Sequence, residues 1–314
     1  MRIRSHLLLL AAVVLVPGFL AAAIAVEKVR EAERAAALNG LSETVRATAL
    51  LVDGEIQRSL GALAVLANSP ALKSGDMKAF YAEAKAGSLV PDVWTLLLDE
   101  SGTQVFNTTV PLDTPPPPPS ARARVAHVLA TQRPLASDVI VGPVTGRLLT
   151  TLYVPTELAD GKRYVVAQAF SVEHWKKKAM RPRGRADWVV AVLDRSGKFI
   201  SRSHRSDELL GRTARPELVA AATAANEGLI RHPTLEGIDS YDAFVHSDLT
   251  GWTIAVAAPV DTIDASATHA VAWLMAGVAA ALAAALLGAA MLGRVVMRAI
   301  DSASQAAGAL GRGE

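Results

Sequence analysis

Residues 271–293 read VAWLMAGVAAALAAALLGAAMLG, 23 consecutive residues without a charge. At about 1.5 Å per residue, a helix of that length crosses a hydrocarbon core of roughly 30 Å. The stretch therefore predicts a transmembrane helix, and the rest of the chain must be arranged around a bilayer. Arg294 and Arg298 follow it directly, while Asp261 and Asp264 precede it and no Lys or Arg lies between Arg231 and Arg294. The positive-inside bias places Arg294 in the cytoplasm and Asp264 outside.

A second apolar stretch stands at the other end. Leu7–Val26 is uncharged, follows Arg2 and Arg4, and is interrupted by Pro17-Gly18. Ala23-Ile-Ala25 offers a cleavage site and a reading as a signal peptide. The apolar run is too long for that, and a helical pattern continues straight through it, so an uncleaved first membrane helix is expected. Residues 1–6 then form a cytoplasmic stub, 7–26 the first span, 27–269 an external region, 270–293 the second span and 294–314 a second cytoplasmic segment. A cell inner membrane protein of two passes follows, with its lipid bilayer as an obligatory partner.

Composition excludes several classes. The net charge of +2 gives no field for nucleic acid, and the absence of cysteine rules out disulfides, thiolate metal sites and cysteine nucleophiles. There is no phosphate-cradling glycine loop with a lysine and no paired-histidine metal motif. His127, His174, His204, His232 and His246 are scattered, and each reads as a surface or satisfied structural histidine. Asp239 and Asp242 read as solvated carboxylates at a turn and strand start. No catalytic residues, metal or cofactor are expected.

Glu27–Ala67 reads as one long helix, with Leu38, Leu41, Val45, Thr48, Val52, Ile56, Leu60 and Leu63 recurring at steps of three and four. That stripe suits either the domain's own sheet or a dimer seam. Asn68-Ser69-Pro70 ends it. After a short helix over Asp76–Lys85, the apolar run Val93–Leu98, the turn Asp99-Glu-Ser-Gly102 and a strand to Thr108 make a hairpin. Pro115–Pro119 is a stiff polyproline connector. Ala121–Thr131 is helical, and Asp138–Val144, Arg147–Pro155 and Lys162–Phe170 read as strands.

The pattern then restarts. Asp194-Arg-Ser-Gly197 repeats Asp99-Glu-Ser-Gly102 after the apolar strand Trp188–Leu193, and Ser240–Val245 with Trp252–Pro259 repeats the closing strands. The fold class read from this is α+β: two tandem modules, each an antiparallel sheet flanked by helices, on a long N-terminal helix between two transmembrane helices. The modules divide as 27–185 with the long helix and 186–269. The basic run Lys176, Lys177, Lys178, Arg181, Arg183 and Arg185 falls between them and reads as a solvated connector or an anion site.

This order resembles the double Cache periplasmic sensor region of bacterial transmembrane receptors. The phrases Val139-Ile-Val-Gly-Pro-Val-Thr-Gly146, Val192-Leu-Asp-Arg-Ser-Gly197, Leu210-Gly-Arg212 and Leu249-Thr-Gly-Trp252 are similar to those of proteobacterial HWE-type sensor histidine kinases. Ile300, Ala303, Ala307 and Leu310 with Gly311-Arg-Gly-Glu314 resemble the first helix of a HAMP linker, although Ala299 stands where that linker has proline. The resemblance implies PAS-like modules and a small-molecule ligand in the membrane-distal one. It also implies a cytoplasmic output partner, a histidine kinase acting on a response regulator, with chemoreceptor and diguanylate cyclase as alternatives. An exported enzyme or scaffold is the reading from a different class. The amino-acid-binding members carry an Arg-x-Trp-Tyr cluster where this chain has Ala121-Arg-Ala-Arg124, which argues against an amino-acid ligand.

A pocket needs apolar walls and a few convergent polar groups. In the distal module Trp94, Phe106, Asp138, Arg147, Thr151 and Tyr153 supply those types, with Arg147 the expected anchor for a carboxylate or phosphate and Asp138 for an amine. Trp94 and Phe106 also fit a plain core. Ala276, Ala280, Ala284 and Gly288 line one face of the second span and favour a parallel homodimer. The topology is checked by fusing a periplasm-active reporter at Gly184 and after Glu314: activity is expected only at Gly184, and equal activity at both points would refute two spans.

Overall fold

The computed structural model describes residues 2–88, 90, 92–179 and 187–265, with scattered positions between 272 and 298 and without the side chains of 2–17 and 19. The chain divides into two compact units, residues 38–260 in one and 1–37 with 261–314 in the other. Helix α1 (Arg2–Ala67) takes in the backbone of Leu7–Val26. The side chains of most of that stretch, much of Val271–Gly293 and all of 299–314 lie outside the described residues. Among the described residues no helix is long and apolar enough to cross a membrane.

Within residues 38–260, α1 buries one face. Leu41, Val45, Thr48, Val52, Ile56 and Leu63 are all buried, so the stripe packs on the chain's own modules; burying each large apolar side chain contributes roughly 1.5–3 kcal/mol. The polar contacts of α1 show that it runs beside both modules. Thr156 Oγ1 donates to the Ala67 carbonyl at 2.6 Å, while Ser247 Oγ donates to Asp53 at 2.5 Å and Arg46 pairs with Glu227 at 3.1 Å. Glu55 lies 3.0 Å from the buried His174 and 3.3 Å from Lys178. Burial pushes the Glu55 carboxyl up, but hydrogen bonds from Arg58 and Lys178 outweigh it and leave it below the usual glutamate range. Ser69 then caps α2 (Pro70–Lys73), whose first residue is a proline that loses no hydrogen bond there.

After α3 (Met77–Gly87), the distal sheet begins with β1 (Val93–Asp99) and β2 (Gln104–Asn107). Helix α4 (Arg122–Thr131) follows, then β3 (Leu135–Ala136), β4 (Ile140–Val141), β5 (Leu148–Glu157) and β6 (Arg163–Ser171). The order is β2-β1-β6-β5-β3, with β4 also on β5 and every pairing antiparallel. The expected strand Asp138–Val144 is cut to two residues, because Gly142 turns back: its N–H donates to the Arg147 carbonyl at 2.8 Å and its carbonyl accepts from Gly146 at 2.8 Å.

Helix α5 (Val172–Ala179) leads to the proximal sheet: β7 (Val189–Leu193), β8 (Phe199–Arg202), α6 (Ser206–Leu209), α7 (Pro216–Ala224), β9 (Glu227–Pro233), β10 (Asp239–His246) and β11 (Thr253–Pro259). Its order, β8-β7-β11-β10-β9, repeats the distal one. The repeat reaches single residues: a register shift falls between Leu97 and Leu98 in one hairpin and between Val192 and Leu193 in the other, 95 positions on in both cases. Strand β9 had no sequence signal, because its alternation runs through a glycine, a charge and a histidine rather than a continuous apolar run.

The modules meet at Trp175. It is fully buried, its Nε1–H donates to Thr150 Oγ1 of the distal sheet at 2.8 Å, and its ring stands edge-on to Trp252 of the proximal module at 5.3 Å. A buried aromatic that fills both cores at once resists truncation strongly. Trp175→Ala should destabilise the chain by about 3–5 kcal/mol in equilibrium denaturant unfolding; a loss below about 1 kcal/mol would mean that the joint is slack.

Candidate functional site

The distal sheet and α4 leave a cleft between them. Its floor comes from alternate residues of the strands, Trp94 and Leu96 on β1, Ala169 on β6, Thr151 and Tyr153 on β5, which share one face because side chains alternate along a strand. One wall is α4, with Ala121 and Arg124; the other is the 142–145 loop. The unfilled space is ≈ 400 Å³ counting the open mouth, of which ≈ 30 Å³ is free for water, room for one or two molecules. A larger ligand requires the loop or Arg124 to move.

Gly142 sets how near the loop comes. A Cβ there would lie 2.4 Å from Leu149 Cδ2 and 2.7 Å from Thr145 Oγ1, so any larger residue would have to push these side chains aside. Ser137 holds the segment before the loop onto β5: its N–H donates to the Thr151 carbonyl at 2.8 Å, and its hydroxyl accepts from the Thr151 N–H at 2.9 Å.

Arg124 supplies the cleft's charge. Its Nε donates to Tyr153 Oη at 3.1 Å, its Nη2 donates to the Ser120 carbonyl at 2.7 Å, and the guanidinium lies over the Tyr153 ring at 5.9 Å from the centroid. Among the described residues, Arg124 is the one charged side chain lining the cleft; Gln104, Asn107, Ser120, Thr145 and Thr151 are its neutral polar neighbours. An apolar floor under a single guanidinium suits a small molecule with an anionic or acceptor-rich end.

Of the six residues expected from sequence, the structure brings Trp94, Thr151 and Tyr153 together in this cleft. Phe106 is on the other face of the sheet, packed against Phe80 at 5.5 Å and Tyr81 at 5.4 Å between ring centroids. Asp138 accepts from the backbone N–H and Nε of Arg195 in the proximal module, at 3.2 and 2.9 Å. Arg147 is exposed; its backbone closes the loop, and its side chain is not among the cleft's lining. Arg124 escaped sequence reasoning because an arginine on a helix reads as solvated; its i, i+3 spacing from the buried Ala121 was the available signal.

The Asp138 contact belongs to a joint. Asp194 Oδ2 accepts from the Val139 N–H at 3.1 Å and Arg195 Nη2 donates to the Ala136 carbonyl at 2.8 Å. The proximal hairpin turn therefore grips residues 136–139, immediately before the cleft's loop.

No family model and no curated protein matches the chain. Solved structures do. The extracellular domain assigned to the histidine kinase rpHK1S-Z16 aligns with a TM-score of 0.58 and 16% identity over 73% of this chain and 97% of that one. The ligand-binding domain of the Pseudomonas fluorescens chemoreceptor CtaA, solved with L-isoleucine, aligns at 0.56 and 15% over 74% and 97%. That of the Pseudomonas aeruginosa PAO1 amino-acid chemoreceptor PctC, solved with GABA, aligns at 0.52 and 20% over 71% and 98%. The fold is that of extracellular sensor domains.

Proposed function

We propose that this chain is the sensing part of a transmembrane receptor, and that the distal cleft holds its ligand, a small organic anion seated on Arg124. The observation that carries this reading is the cleft itself: an apolar floor, one guanidinium and no carboxylate among its described lining residues. The likeness to sensor domains of histidine kinases and chemoreceptors supports the general role. An α-amino acid also needs an acceptor for its ammonium group. Asp138, the residue expected for that purpose, is held by Arg195, so a carboxylate without an amine fits better.

The finer assignment rests on sequence. Arg2, Arg4, Arg294 and Arg298 support two passes through an inner membrane with the modules 27–185 and 186–269 outside. The resemblance of the region after Arg294 to HAMP supports a cytoplasmic output, a histidine kinase of HWE type, with a chemoreceptor as the second reading. A homodimer is supported by the small-residue face of 276–288 and by an apolar second face on α1, where Leu50, Leu51 and Val65 are 72%, 58% and 74% exposed. Signal would pass through the joint: a ligand that moves the 142–145 loop pulls on residues 136–139, which Asp194 and Arg195 tie to the proximal module. Arg147 keeps its place as an alternative anchor at the loop's outer end.

In a screen of small carboxylates and amino acids on the full chain, a carboxylate is expected to raise the melting temperature. Arg124→Ala should weaken that binding by about 2–5 kcal/mol, the usual effect of removing one partner of a buried charge pair, while Arg147→Ala should leave it intact. Stabilisation by amino acids alone, or full binding by Arg124→Ala, would overturn the assignment.

A further inference from the structure

The two sheets correspond by register, and so do their cavities. With Asp99 and Asp194 aligned, the strand pairings match Trp94 with Val189, Asn107 with Arg202, Ile140 with His232, Thr151 with Asp242 and Ala169 with Ala257. Every one of these residues lines a cavity: the first of each pair the distal cleft, the second a proximal cleft between the sheet and α7, ≈ 370 Å³ counting its open mouth, of which ≈ 30 Å³ is free for water, so an organic ligand there requires a lining side chain to move. Where the distal cleft has asparagine, isoleucine and threonine, the proximal one has arginine, histidine and aspartate. The expectation that Asp242 is a solvated carboxylate is overturned: it is 5% exposed, under α7.

The hydrogen bonds of this cluster fix one proton. His232 Nδ1 faces the Pro233 carbonyl at 3.0 Å, which can only accept, so Nδ1 carries hydrogen. His232 Nε2 faces Asp242 Oδ2 at 3.2 Å, and one proton must lie between them. Asp242 Oδ1 is buried and has no hydrogen-bond partner, an acceptor without a donor in a cavity wall. Two arginines flank the pair, and both are engaged. Arg202, on β8, is bidentate to Glu236 at 2.8 and 2.9 Å, and Arg215, at the start of α7, donates twice to the Thr234 carbonyl with Glu217 two residues on. Burial raises the Asp242 carboxyl, and the hydrogen bond to Asp242 raises His232, so the shared proton is retained to higher pH than an isolated histidine would hold it.

We propose that the proximal cavity is a second binding site, for a small organic ammonium ion that donates to Asp242 Oδ1 and displaces the proton shared with His232. On binding, one ammonium N–H bonds to Oδ1 and a second takes the place of the shared proton as the donor to Nε2; that proton leaves to solvent, and His232 becomes neutral beside an ionised Asp242. The charge in the cavity is then unchanged, which is why a cation is admitted next to Arg202 and Arg215. Val189, Ala191, Ala255 and Ala257 offer apolar surface for a short alkyl group. A neutral alcohol cannot replace the proton's charge, and an anion would face Asp242. This site stands whether or not the distal cleft binds an anion.

The test is calorimetric titration of the full chain in detergent with ethylammonium chloride, at several pH values from about 6 to 8, with sodium chloride as the salt control. Saturable binding is expected, with release of about one proton and a Kd that falls about tenfold per pH unit while the pair stays protonated. Asp242→Asn should bind roughly a hundredfold more weakly. Should that variant fail to fold, His232→Gln serves: with no imidazole proton to displace, its binding should lose the pH dependence. Absence of saturable binding, pH-independent binding in the parent chain, or unimpaired binding in Asp242→Asn would each overturn the proposal.

Discussion

The carboxylate of Asp194 holds two things at once. Its Oδ1 accepts from the Ser196 N–H at 2.9 Å, the Ser196 hydroxyl at 2.7 Å and the Lys198 N–H at 2.9 Å, closing the proximal hairpin. Its Oδ2 accepts from Val139 of the distal module. Asp99 closes the distal hairpin in the same way through Ser101 and Thr103. The difference lies in burial: Asp194 is 1% exposed, so its second oxygen must find a donor within the protein, and the one it finds belongs to the other module. The tie between modules is therefore a consequence of using one turn twice.

From that tie the functional geometry follows. Residues 136–139 are gripped by Asp194 and Arg195, β4 pairs with β5, residues 142–146 close the cleft's edge through hydrogen bonds of the loop's own backbone, and Ser137 ties the segment to Thr151 on the sheet floor. Trp175, from the connecting helix, packs between the two modules, on Thr150 of one and Trp252 of the other. Under the proposed function, a ligand that shifted the loop would change contacts made by two modules, because packed interfaces have few intermediate arrangements. The duplicated sheet gives each module a cavity in the same place, and three substitutions, Arg202, His232 and Asp242, make the second one chemically unlike the first.

Much of this fold could be read from the sequence, since both Asp-x-Ser-Gly turns follow apolar strands and the closing strands recur at matching distances. Helix α1 was legible from its stripe, including the alternative that won, packing on its own modules. The long-range pairs were not legible. Whether Arg124 or Arg147 reaches the cleft depends on how a ten-residue helix and a glycine loop close over the sheet, and local spacing does not encode that. Asp242 and His232 sit ten residues apart on neighbouring strands; only the antiparallel register, which the sequence of β9 does not announce, makes them diagonal neighbours on one face. Asp138 was legible as a polar group able to take an amine; that its carboxylate accepts from Arg195 of the other module was not.

The joint is tested most directly by amide hydrogen exchange at Val139 in the Asp194→Ala chain. If Asp194 ties the modules, the Val139 amide should lose its protection while the amides of β1 and β6 keep theirs. Protection at Val139 equal to that in the parent chain would contradict the account.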